Sequence, residues 1–330
     1  MPAVRINEPI AQWSEGDFVQ GFAFLSRKDV RQDRNGREYM DLELGDASAS
    51  IIAKVWPDSP AMKGRFEARE FITFKGTVRL YREQLQLNVD FCRAVTEEDR
   101  HHGFAEAGLV PTTPEDIEDL ARRLAALYPG TFERPELRRL VTLALERWGD
   151  ALREHPAAKS IHHAYRGGLL EHVVFMAELA QKFCDLYRDL DRDLLLAGVL
   201  FHDLGKLREL GAMPGSEYTL EGQLIGHVIL GRDMLRACVA EIAGFPEDLR
   251  LHLEHLILSH QGHREYGSPV EPMTLEAFAL HSIDDLDSKL NQLRRARTHQ
   301  GGLQFLRPLG RTVLLEGPSP AVAVADPATR

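Results

Sequence analysis

Two periodicities divide the chain. From about residue 14 to 95, apolar and polar residues alternate, or gather as β-branched and aromatic runs, in GDFVQGFAFLSRK, REYMDLELGD, SASIIAKVW, FITFKGTVRLY and EQLQLNVDFCRAV. Successive side chains of a strand point to opposite faces, so these runs predict five strands, each with one buried face. The breaks between them carry Gly, Asp, Asn or Pro, and Asn35-Gly36 is the pair that best suits a tight hairpin. Five short strands so spaced predict a small barrel. A polar linker, TEEDRHHGFAEAGLVPTT, follows, and the apolar spacing then changes to that of helices. Thr113 is the expected N-cap of the first helix, with Pro114 at the first helical position and Glu115 and Asp116 in the first turn. Further helices are expected near 135–154, 168–188, 192–209, 220–241, 247–260 and 274–296, separated by Gly, Pro or polar breaks. From Gly310 onward the glycines and prolines, without amphipathic pattern, predict a flexible tail over 310–330.

Several of these helices carry charge where their pattern is apolar. His202 and Asp203 directly follow the apolar run 194–201, in a helix that reads as buried nearly all round. Burying an ionised carboxylate costs several kcal/mol unless it is paired or bound to a cation, so Asp203 must be compensated. Neighbouring imidazole and carboxylate donors suit Mn, Fe, Co or Zn better than Ca. His172 stands three residues after Leu169 and four before Met176, on the apolar face. His227 lies between Leu224 and Leu230, with Gly226 and Gly231 allowing another element to approach closely. His260 ends an apolar helix, and Asp284 is bracketed by Leu280, Ile283 and Leu286. A lone histidine on an apolar face is ordinarily a satisfied core residue. Four inward histidines and two inward aspartates together would need many dedicated hydrogen bonds, whereas a helical bundle could bring all six to one metal centre. His162, His163, His252, His255 and His281 are alternates close to these positions.

Composition narrows the picture only slightly. The 330 residues allow two domains, and 44% hydrophobic with 27% charged residues is ordinary for a soluble protein. No apolar run could span a bilayer, the first ten residues lack the features of a secretory signal, and three cysteines without CxxC spacing indicate neither a disulfide framework nor a thiolate zinc site. A cytoplasmic location is expected. The net charge of −10 disfavours a broadly basic nucleic-acid-binding protein, but residues 15–93 carry about 13 charges of each sign, which leaves room for a local basic groove.

The sequence of motifs resembles the HD superfamily of phosphohydrolases: His172, the pair His202-Asp203, His227, His260 and the distant Asp284. More specifically, SIHHAYRGGLLEH, FHDLGK, EGQLIGHVILG, ILSHQGHREYGSP and LHSIDDLDSKL resemble the YhaM family of bacterial 3′-to-5′ exoribonucleases, a likeness that runs from about 14 to 310. The resemblance implies an α+β multidomain chain. A five-stranded OB-like β-barrel over 1–95 would bind nucleic acid, 96–113 would be a linker, and an all-α HD-type domain would occupy 114–309. It also implies two divalent ions on His172, His202, Asp203, His227, His260 and Asp284, with Mn²⁺ the leading candidate and Co²⁺, Fe²⁺ or Mg²⁺ as alternatives.

The resemblance further implies single-stranded RNA as the substrate, with single-stranded DNA as a second one, degraded from the 3′ end to nucleoside monophosphates. Asp203 is expected to be catalytic as a metal-anchoring carboxylate. Lys206 projects from the same helix face and would hold phosphate. His163 and Arg166, beside Gly167 and Gly168 where a helix begins, are candidate substrate contacts. On the barrel, Tyr39, Trp56 and Tyr81 with Lys54 and Arg79 have the chemistry of a stacking platform in a positive groove. A homo-oligomer is expected. The alternative reading is a hydrolase of small nucleotides, such as cyclic dinucleotides, nucleoside triphosphates or alarmones, with a regulatory barrel; a third is a non-enzymatic nucleic-acid-binding module with a degenerate metal site.

Overall fold

The computed structural model describes residues 4–159, 163–297 and 302–315. Its first part is a six-stranded sheet: β1 (Val4–Ile6), β2 (Phe18–Gln32), β3 (Glu38–Gly45), β4 (Ser50–Val55), β5 (Glu70–Tyr81) and β6 (Gln84–Ala94). The order is β1-β2-β3-β4-β6-β5, and pairing of β2 with β5 closes strands β2 to β6 into a five-stranded OB-like barrel. Closure is possible because β2 is 15 residues long: its first half pairs with β5, Phe18 opposite Thr77, and its second half with β3, Gln32 opposite Glu38. Gly36 turns the β2–β3 hairpin at φ +76. Leu25, Leu42, Leu44, Ala53, Ile72, Phe74 and Leu87 alternate inward and form the barrel core. The short β1, parallel to β2, was not among the expected strands.

The remainder is helical: α1 (Ile117–Leu127), α2 (Pro135–Glu154), α3 (Gly168–Leu186), α4 (Arg192–Phe201), α5 (Lys206–Glu209), α6 (Leu220–Ile225), α7 (His227–Val239), α8 (Glu247–Ser259) and α9 (Leu275–Arg297). Leu170, Val174, Leu195, Val199, Leu256, Leu280 and Ile283 lie in one buried core shared by α3, α4, α8 and α9. None of the described helices is long and apolar enough to cross a membrane.

Four expectations are corrected. The first helix is capped by Asp116, whose carboxylate accepts from Glu118 N and Asp119 N; the Thr113 hydroxyl instead donates to Glu171. The segment 192–209 is broken after Phe201 by a turn, and 220–241 is broken at Gly226, whose φ of +80 no helix accommodates. Apolar spacing continues through the first break because Leu204 and Leu207 pack into the same core as α4; at the second, Val228, Met234 and Leu235 of α7 are core residues whereas Leu220 and Leu224 of α6 are exposed. The fourth correction concerns the tail: residues 303–306 (β7, Leu303–Leu306) and 311–314 (β8, Arg311–Leu314) form an antiparallel hairpin turned at Gly310, φ +61. Residues 316–330 of the expected tail, and His162, lie outside the described residues.

Candidate metal centre

The helix breaks create the site. Ending α4 at Phe201 places His202 and Asp203 in the turn that follows, with Gly205 pressed against α7: a Cβ there would come within 2.0 Å of His227 O. Breaking the next helix at Gly226 makes His227 the first residue of α7, where its backbone N–H donates to the Glu209 carboxylate at 2.9 Å. His172 comes from α3, His260 caps α8 and Asp284 lies on α9.

The four imidazoles are all held in the same way. His172 Nδ1 faces Asp287 Oδ2 at 2.7 Å, His202 Nδ1 faces Val199 O at 2.8 Å, His227 Nδ1 faces Glu209 Oε1 at 3.0 Å and His260 Nδ1 faces Ile257 O at 2.7 Å. An acceptor at each Nδ1 keeps a proton there and turns Nε2 inward. The four Nε2 atoms converge on Asp203: His172 and His202 lie 3.6 and 3.3 Å from Oδ2, and His227 and His260 lie 3.5 and 3.7 Å from Oδ1. Asp284 Oδ1 adds a second carboxylate 3.3 Å from His172 Nε2. Asp203 Oδ1 is buried and makes no hydrogen bond among the described residues. A buried carboxylate oxygen without a donor among the described residues, facing the Nε2 atoms of His227 and His260, fits a divalent cation.

The electrostatics agree. Burial opposes ionisation of Asp203, but Lys206 and His202 overcome it and hold the carboxyl well below its ordinary range. Asp284 is likewise lowered, against its burial, by His172. Burial would lower His172, yet the Asp284 and Asp287 carboxylates raise it to about 10, so without metal a proton on this ring offsets part of the negative charge. His260, fully buried and repelled by His202, is pushed down to about 4 and stays a neutral donor. Lys206 Nζ lies 2.5 Å from Asp203 Oδ2 and lines the cavity above the centre, where phosphate could reach it. Gln261 Nε2, 3.2 Å from His227 Nε2, is a protein donor to that ring.

Asp287 was not singled out in advance, although it stands one turn after Asp284 in the same motif. Its Oδ2 accepts from both His172 Nδ1 and His163 Nε2, the latter at 2.9 Å. This corrects the expected role of His163: it is fully buried behind Asp287, its Nδ1 faces the Tyr165 hydroxyl at 3.1 Å, and its backbone N–H donates to Asn291, so no substrate can touch it. Arg166 is corrected too. Its backbone pairs with Pro111 and Thr113, and its guanidinium sits 3.2 Å from Glu154, outside the cavity. The alternates His252 and His255 do not line the cavity; His281 does, with Nδ1 2.8 Å from His260 O.

On the barrel, Tyr39 and Trp56 stack at 5.5 Å with 28° between their planes, and Lys54 Nζ lies 5.1 Å over the Tyr39 ring while bonding Asp41. Trp56 Nε1 donates to Asn88 Oδ1 at 3.1 Å. Tyr81 and Arg79 are exposed near the β5–β6 turn, away from that pair in register.

Comparison with known proteins fits this architecture. The HD domain family matches residues 169–289, which contain all six proposed ligands. A second model, TraI_2, of a helicase family, matches the stretch 117–189. The protein named 3′-5′ exoribonuclease YhaM from Shouchella clausii (strain KSM-K16) is 35% identical over 281 residues, 85% of this chain and 86% of that one. Its namesake from Bacillus pumilus (strain SAFR-032) is 37% identical over 268 residues, 80% and 83% of the two chains. The chain belongs to the YhaM family. As in other HD domains, a divalent metal is implied, and the His/Asp clusters can hold one. Among solved structures, the second OB-fold domain of replication protein A from Methanococcus maripaludis matches 27% of this chain and 95% of that one, at 16% identity and a TM-score of 0.23. A replication protein A heterotrimer bound to ssDNA matches at 11% identity, TM-score 0.22, over 31% and 88% of the two chains.

Proposed function

We propose that this YhaM-family chain is a cytoplasmic exonuclease that shortens single-stranded RNA, and single-stranded DNA as a second substrate, from the 3′ end by hydrolysing phosphodiester bonds to nucleoside monophosphates. The observation that carries this reading is the convergence of four Nδ1-anchored imidazoles on Asp203, whose Oδ1 has no hydrogen bond among the described residues. His172, His202, Asp203 and Asp284 would hold one divalent ion, and Asp203, His227 and His260 a second; neutral imidazole and carboxylate donors without thiolate favour Mn²⁺, with Co²⁺, Fe²⁺ or Mg²⁺ as alternatives. Such ions supply an activated water and polarise a phosphoryl oxygen.

The chain's own groups have separate tasks. Lys206 would hold a non-bridging phosphate oxygen with Nζ, as its place on the cavity wall supports. Asp287, Glu209 and the carbonyls of Val199 and Ile257 keep each ring's second nitrogen aimed inward. Residues 1–95 would form the strand-binding unit, with the Tyr39–Trp56 stack and Lys54 as its platform and Tyr81 and Arg79 at its rim; 96–113 would link it to the hydrolytic unit over 114–309. A homo-oligomer is part of this reading.

The test is digestion of 5′-labelled single-stranded RNA with Mn²⁺ by the protein and by Asp203→Asn. A ladder shortening from the 3′ end, abolished by EDTA and by Asp203→Asn, is expected. Intact RNA alongside hydrolysed cyclic dinucleotides or nucleoside triphosphates would overturn it in favour of a small-nucleotide hydrolase.

A further inference from the structure

The cavity above the metal centre has a wall to which hydrolysis alone gives no role. The space is about 350 Å³, within the range of small-ligand sites, with Asp203, His260 and Asp284 in its lining and Gln261, His263 and Tyr266 along one side. That side is a loop held by hydrogen bonds within itself and to the end of α8. Gly262 N donates to Ser259 O at 2.8 Å, Tyr266 N to His263 O at 3.0 Å, and Ser268 Oγ to Leu258 O at 3.1 Å. Gly262, at φ +80, lies so close to the His281 ring that a Cβ would come within 2.2 Å of it.

Two rings stand on this fixed loop without being packed into the protein. Tyr266 is 66% exposed, and its hydroxyl makes no hydrogen bond with the described residues. It meets His263 edge-to-face at 5.6 Å, and His263 meets His281 at 6.0 Å. An exposed ring on a protein surface is commonplace. These two differ because they line the same cavity as the carboxylates that would anchor the metal, and because the loop presenting them is already ordered, so little entropy remains to be lost on binding.

We propose that Tyr266 and His263 form a nucleobase subsite, in which the base of the 3′-terminal nucleotide stacks on the Tyr266 ring while its phosphate lies over Asp203 and Asp284. The proposal rests on the exonuclease reading and deepens it. Stacking uses the π-face common to all bases, so the subsite accepts any sequence, as a degradative enzyme requires. It also seats one nucleotide at a time beside the scissile bond.

Calorimetric titration of Mn²⁺-loaded protein with AMP and with ribose 5-phosphate separates the base from the rest of the ligand. AMP is expected to bind about ten-fold more tightly or better; Tyr266→Leu brings the two within about two-fold, and Tyr266→Phe keeps the difference. On substrates, Tyr266→Leu loses more kcat/KM on single-stranded RNA than on bis(p-nitrophenyl) phosphate, which has no nucleobase. Equal affinities for AMP and ribose 5-phosphate in the unmodified protein, or wild-type kcat/KM on RNA in Tyr266→Leu, overturn the subsite alone. Protein that hydrolyses bis(p-nitrophenyl) phosphate but leaves RNA whole overturns the exonuclease reading and the subsite with it.

Discussion

Replacing Asp287 with asparagine removes a charge and almost no volume, so Asp287→Asn isolates what this carboxylate does. One oxygen, Oδ2, takes hydrogen bonds from His172 Nδ1 at 2.7 Å and His163 Nε2 at 2.9 Å, and the residue is buried. Both bonds go to an anion held well below its ordinary carboxyl range, against burial, by those same two histidines. A hydrogen bond to a charged acceptor contributes roughly 1.5–3 kcal/mol, and one between neutral groups roughly 0.5–1.5. Neutralising the acceptor therefore weakens each bond by about 1 kcal/mol, or about 2 kcal/mol for the pair. The loss falls on the orientation and basicity of His172, whose Nε2 is one of four converging on Asp203.

Mn²⁺ affinity of metal-stripped Asp287→Asn is accordingly expected to fall about 10- to 100-fold, the usual cost of losing a partner behind a metal-bound histidine. Titration calorimetry at neutral pH reads this directly, with circular dichroism showing that the fold is intact. An affinity within about two-fold of the unmodified protein, in a folded variant, would refute the assignment of Asp287 as the group that aims His172.

Other outcomes follow from particular contacts. Gly205→Ala should lower stability by about 1–3 kcal/mol or more and weaken metal binding, because its Cβ would meet His227 O at 2.0 Å; Gly149→Ala, in α2 with nothing within 4 Å, should stabilise by about 0.5–1 kcal/mol, and thermal melts of the two decide. Trp56→Ala should weaken binding of a labelled single-stranded oligonucleotide by about 1–3 kcal/mol in fluorescence anisotropy, and unchanged binding would remove the barrel patch from the substrate path. Burial lowers His155 below its ordinary 6.5, so the unfolded chain binds the extra proton first. Stability from this residue is full above about 6.5 and is lost as pH falls into the window beneath it, and His155→Gln should show a shallower decline in urea denaturation below that pH.

The barrel and the helical part could be read from periodicity because each strand and helix buries one face, and burial imposes its period on the sequence whatever the neighbours are. What periodicity could not show is where an apolar run stops being helical. The turn after Phe201 and the break at Gly226 both lie inside apolar stretches, and each sets a donor at the centre: the first places His202 and Asp203, the second starts α7 at His227, whose N–H meets Glu209. The hairpin of β7 and β8 leaves no pattern for the opposite reason: its strands are four residues each and largely exposed, too short and too wet to impose one.

The same distinction runs through the site itself. Metal donors can be located in a sequence because a carboxylate or imidazole inside an apolar helix must be compensated wherever it stands, and Asp203 among leucines already demands a partner. The groups that aim those donors obey no such rule. Asp284, Asp285 and Asp287 occupy one turn of α9 and look alike as sequence, yet Asp284 faces His172 Nε2, Asp285 pairs with Lys289 near the surface, and Asp287 reaches His172 Nδ1. Which of the three does what depends on a residue 115 positions away. The place of His163 before a helix suggests a substrate contact, whereas its partner in the fold, Asp287, is 124 positions distant. Donors are therefore found by the cost of burying them, which is local, whereas their orientation is set by acceptors that only the folded chain brings near.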